Sequence, residues 1–173
     1  MTGNMLPGMI GALAIGVGAT AFMDLWALLQ KRLFGIPALD YRLVGRWIGH
    51  FRQGRFSHDA IGKAAPVRRE AFLGWTAHYA IGVLFAAVLL FVWEPGWASQ
   101  PSLAPALIIG LASVLAPFLL MQPGLGAGIA ASRTPKPWTA RSRSLIAHLS
   151  FGIGLYLAGQ LLAASGVLPE GAG

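Results

Sequence analysis

The chain has 173 residues, 55% of them hydrophobic and 11% charged. A soluble domain carries about twice that charged fraction, so composition alone points to a membrane protein. There is no cysteine, which excludes disulfides, thiol catalysis and thiolate metal sites. The net charge of +7 does not indicate nucleic acid. The basic residues lie between apolar runs, where orientation in a membrane accounts for them, and no recognition motif accompanies them.

Four apolar segments, at about 6–29, 72–92, 103–121 and 144–164, are each long enough to cross a hydrocarbon core that needs ~20 helical residues. A bilayer offers backbone groups no water, so each should be a helix. The expected fold is therefore all-α: a membrane-embedded four-helix bundle forming one domain over residues 1–173. The first segment lacks a basic leader and is expected to be retained. All 13 Lys and Arg fall within 31–69 or 133–143, the connections after the first and third segments. The positive-inside rule makes that side cytoplasmic. Glu94 and Glu170 then lie on the other side, and both termini are extracytoplasmic.

Along the first segment Gly8, Ala12, Gly16, Thr20 and Asp24 recur in steps of four. Small residues at this spacing let helices approach closely, and the ridge offers a seam for a homo-oligomer. The connection at 32–70 is too long for a turn. Asp40 reads as an N-cap, and Leu43, Val44, Trp47, Ile48 and Phe51 then recur at helical spacing, the pattern of a short interfacial helix. Ser57 or Asp59 reads as the cap of a further helix start. The third segment is interrupted by Pro117 and Pro123, which predicts a kink. Gly124, Gly126 and Gly128 follow without the Lys-Ser/Thr of a phosphate loop, and read as a close-packed or flexible helix end.

The histidines matter most. Ala77-His78 with Gly82 and Val83 is echoed by Ala147-His148 with Gly152 and Ile153, consistent with a duplicated two-helix hairpin. Depth at ~1.5 Å per residue puts Asp24, His78 and His148 within ~8–12 Å of the basic edge, with Gln122 at the end of the third segment on the same side. An ionised side chain in hydrocarbon is costly, so Asp24 should face inward and find a partner. Thr20, Asp24, His78, Gln122 and His148 thus form a candidate intramembrane polar site. Arg46, His50, Arg55, His58, Arg68 and Arg69 are candidate contacts to an anion or lipid headgroup. Ser57-His58-Asp59 is not a triad, because adjacent residues do not aim at one point.

Gly18-Ala19-Thr20-Ala21-Phe22-Met23-Asp24-Leu25-Trp26, Gly45-Arg46-Trp47-Ile48-Gly49-His50, Gly74-Trp75-Thr76-Ala77-His78-Tyr79 and Ala131-Ser132-Arg133-Thr134-Pro135 resemble the bacterial membrane proteins of domain-of-unknown-function family 2938. So do Pro66-Val67 with Glu70, and Ala116-Pro117-Phe118 with Met121-Gln122-Pro123. The resemblance spans nearly the whole chain. It implies a bacterial inner-membrane location and a single four-helix domain, and it brings no established activity or site residues.

The leading expectation is a non-enzymatic membrane protein that binds or relays a proton, metal cation or small polar solute through the polar layer. Three alternatives stay open. In a b-type haem protein, His78 and His148 would be axial ligands. An enzyme acting on lipid or isoprenoid phosphates at the cytoplasmic surface would use His50 or His58 with the arginines. The last is a membrane scaffold or assembly partner.

Overall fold

The computed structural model describes residues 5–93 and 96–166, with side chains from residue 8 onward. The expectations for Glu94, Glu170 and the chain ends lie outside these residues. The helices are α1 (Met5–Phe34), α2 (Tyr41–His50), α3 (Glu70–Val92), α4 (Gly96–Ser99), α5 (Leu103–Ala112), α6 (Gln122–Leu125) and α7 (Pro137–Ala164). Among the described residues there is no strand. Four stretches are long and apolar enough to cross a membrane: Gly8–Phe34, Glu70–Val92, Leu103–Leu125 and Pro137–Ala164.

The apolar runs locate these spans, but the helices outlast them where polar residues continue the helical backbone. α1 runs five residues beyond the apolar run to Phe34, and α7 starts seven residues before it at Pro137. Proline suits that first position because its missing N–H would be unpaired there anyway. The third span breaks where its prolines predict. Regular α-helix ends at Ala112, a π-helical turn covers Pro117–Met121, and α6 follows. Wide turns of this kind often mark functional sites.

The bundle closes on three sides and stays open on the fourth. α1 packs along both α3 and α7, and α7 packs along α5, whereas α3 and α5 touch only lightly. Glycine makes the three closed seams. A Cβ on Gly16 would strike the backbone of Gly82 and Val83, one on Gly154 the backbone of Ala19, and one on Gly110 the backbone of Gly152. Gly16 and Thr20 of the α1 ridge therefore pack against α3 within the chain, whereas Gly8 is exposed. The core, including Ile15, Ala86, Leu89, Ala106 and Leu155, fills the half of the bundle away from the basic connections.

α2 forms as its cap predicts, with the Asp40 carboxylate accepting from Arg42 N–H at 3.0 Å. It does more than lie on the surface. Gly45 and Gly74 let α2 and the start of α3 cross with backbones in contact, since a Cβ on either would overlap the Glu70 or Tyr41 carbonyl. Trp47 presses on Gly124 and donates from Nε1 to the Phe56 carbonyl at 2.8 Å. α2 thus bridges from α3 to the end of the third span and roofs the open side. Neither Ser57 nor Asp59 caps a helix: the next helical turn is a short 3-10 piece at Ile61–Lys63, preceded by Ala60 with no side-chain cap. The chain there is held instead by tertiary bonds, among them His58 N–H to the Gly124 carbonyl at 3.0 Å.

Candidate functional site

Asp24 finds its partners on α3 and, through them, on α2. His78 Nε2 lies 3.0 Å from Asp24 Oδ1, and the Tyr79 hydroxyl donates to Asp24 Oδ2 at 3.1 Å. The Tyr41 hydroxyl lies 3.0 Å from the same His78 nitrogen, and the two rings stack with centroids 4.2 Å apart. With Asp24 accepting, Nε2 carries its proton and points it between the carboxylate and the Tyr41 oxygen. The Tyr41 hydrogen is then free to turn elsewhere. Burial, reinforced by the Asp24 charge, raises the Tyr41 pKa well above its ordinary value, so this group is a neutral O–H donor.

His148 sits on α7 and pairs with the third span, its Nδ1 2.6 Å from Ser113 Oγ. Its Nε2 has no protein partner among the described residues. The two histidines meet at one cavity of about 240 Å³, where α3 and the third span part beneath α2. Thr20, Tyr41 and Ser113 add the other polar groups of its wall, and the rest is apolar or aromatic, including Trp47, Phe85 and Phe151. No Lys, Arg, Asp or Glu lines it. Ile81 and Leu120 contribute to the wall and are 46% and 67% exposed. Its rim thus has the apolar character of the surrounding span surface.

The polar layer read from depth therefore divides. Asp24 and His78 are bonded, Thr20 and His148 share the cavity with His78, and Gln122 stands apart. The Gln122 amide bonds Ser144 Oγ at 3.2 Å, and its buried Oε1 has no partner among the described residues. The Thr20 hydroxyl returns to the Gly16 carbonyl at 2.7 Å. Both contacts of His78 use one nitrogen, so the ring does not form an in-line relay, which needs a partner on each nitrogen. The same two contacts occupy the atom that an axial haem ligand on this side would offer. Among the described residues no group of three or more His, Cys, Asp or Glu could hold a metal ion.

The basic set behaves in two ways. Arg46 grips Glu70 through two bonds of 2.8 and 2.9 Å and reaches the Ala64 carbonyl at 3.1 Å, which ties the connecting loop to α3. The Glu70 hydrogen bond raises the Arg46 pKa further. His50 and His58 are buried against one another, Nδ1 to Nε2 at 2.7 Å, and His50 Nε2 lies 3.1 Å from the Ala65 carbonyl. Arg55, Arg68 and Arg69 are exposed. Arg46 and the two histidines thus hold the loop, while those three arginines face outward.

Sequence reasoning passed over Tyr41, Tyr79 and Ser113. Tyr79 adjoins His78, and Tyr41 follows the α2 cap, so both carried a signal through their neighbours. Ser113 carried none, because a serine in an apolar run more often bonds its own helix.

A family model described as protein of unknown function, DUF2938, matches residues 13–162, and the chain belongs to that family. No curated protein and no solved structure matches it.

Proposed function

We propose that this protein takes up a small lipophilic molecule from the bilayer into the cavity between its second and third spans. One observation carries the reading: a largely apolar cavity with two histidines in its wall lies where the bundle is unclosed, and exposed Ile81 and Leu120 form part of its edge. Such a pocket, apolar with a few converging polar groups, is the usual form of a small-molecule site. The lining favours an apolar body over the proton, cation or polar solute that the histidines alone suggested. Intramembrane histidines are then orienting groups, with the Asp24 carboxylate fixing the tautomer and orientation of the His78 ring. The chain sits in the bacterial inner membrane as a multi-pass protein, basic connections cytoplasmic and both termini outside. A reporter fused after Gly173 that is active only in the cytoplasm would overturn that orientation.

The test is tryptophan quenching in nanodiscs by a brominated alkylbenzene, Trp47 being part of the wall. Saturable quenching is expected in the natural chain and should be weakened in Ala116→Phe, which puts a ring into the cavity from its wall. Unsaturable quenching, equal in both proteins, would show partition into lipid alone and would refute the reading.

A further inference from the structure

The hydrogen-bond arrangement around His148 restricts which molecule can complete it. Ser113 Oγ lies 2.6 Å from the Gly110 carbonyl and 2.6 Å from His148 Nδ1. A hydroxyl has one hydrogen, so it serves only one of them as donor. The break in the third span decides which. In a continuous helix the amide of Val114 would bond Gly110, but here it bonds the Leu111 carbonyl, and the amide of Ser113 bonds Ile109. The buried Gly110 oxygen is left to the Ser113 side chain, and an unmet buried carbonyl is costly. The serine hydrogen therefore goes to Gly110, and Oγ accepts from His148 Nδ1–H.

In a neutral imidazole, one nitrogen donates and the other accepts. With Nδ1 as donor, His148 Nε2 is a bare acceptor in the cavity wall. Its complement is a hydroxyl, not a carbonyl or an ether. The rest of the wall indicates what carries that hydroxyl. Tyr41, Trp47, Phe85 and Phe151 present aromatic surface, which suits a ring. The volume of about 240 Å³ exceeds the roughly 150 Å³ that accommodates benzene in an apolar cavity. The wall lacks a cation to meet a phosphate or carboxylate. We infer that the ligand is a neutral ring lipid bearing a free hydroxyl, of the phenol or quinol class, which donates to His148 Nε2 while its alkyl tail leaves past Ile81 and Leu120. This rests on the cavity reading above and narrows it to one chemical class.

The test uses 4-nonylphenol, its methyl ether and nonylbenzene as competitors of the brominated alkylbenzene in nanodiscs. The phenol should compete about tenfold better than its ether, the worth of one buried hydrogen bond. His148→Phe should abolish that preference while still binding nonylbenzene, which also reports that the variant is folded. Taking the phenol-to-ether ratio in both proteins cancels their different partition into lipid. Ser113→Ala should shrink the ratio, because Nδ1 is then released and the ring can protonate Nε2 instead. An equal ratio in the natural chain and His148→Phe, with nonylbenzene still competing, would overturn the hydroxyl inference and leave the cavity reading standing. Failure of all three to compete would remove the cavity reading itself.

Discussion

Asp24 holds two side chains of α3 at once, and its replacement should show how much that junction contributes. Asp24→Leu leaves His78 and Tyr79 without their acceptor in a part-buried setting, which should lower stability by about 1–3 kcal/mol. Thermal unfolding in detergent reads this, and an unchanged midpoint would mean that water replaces the carboxylate. Asp40 gives a smaller, pH-dependent effect. Its side-chain bonds to Arg42 hold the carboxyl below its ordinary range. Its contribution to α2 is therefore present above the unfolded value, about pH 4, and disappears as pH falls through the lowered folded value. Solvent screens this exposed pair, so the loss should be slight and should vanish in Asp40→Ser, which keeps a cap without the charge. At this scale the sequence showed which polar residues were costly, because an Asp and two His in apolar runs need an explanation. It did not show their partners: Tyr41 lies 37 residues from His78, and only the path of the connecting loop brings them together.

Between elements, α2 depends on two glycines. Gly45→Ala or Gly74→Ala places a methyl on the backbone of the facing helix, so α2 must shift or lift. Overpacking of this kind costs about 1–3 kcal/mol, and it should fall on the roof while the bundle stays intact. Hydrogen exchange should show faster exchange confined to 41–67; uniform loosening would mean that α2 is integral to the bundle. Arg46→Ala should release the same loop through the lost Glu70 clamp, whereas Arg68→Ala, at an exposed position, should not. The existence of α2 and its cap were legible from Asp40 and the spacing of the apolar residues after it. Its burial was not, because an amphipathic face looks the same whether it meets lipid or a neighbouring helix. The glycines were read as a packing signal on the first span, correctly, but glycine spacing does not say whether the partner is the same chain or another copy.

For the molecule as a whole, four spans were legible from hydropathy, and the kink of the third from its prolines. The open side was not. It arises because the glycine contacts close only three of the four seams, and that asymmetry depends on which faces turn inward. Gly82 and Gly152, each four residues after its histidine, sit in the close seam of their own hairpin. The two hairpins then join mainly through α1 and α7, which leaves His78 and His148 on the wall of the remaining gap. Uptake from the bilayer requires that gap to be open to hydrocarbon. The natural absence of cysteine makes the decisive measurement direct: nitroxide labels at Ile81→Cys and Leu120→Cys in nanodiscs, with relaxation by oxygen compared against a water-soluble nickel chelate. Strong relaxation by oxygen and little by nickel at both positions is the predicted result. Strong relaxation by nickel at either would place the mouth in water and contradict uptake from the bilayer.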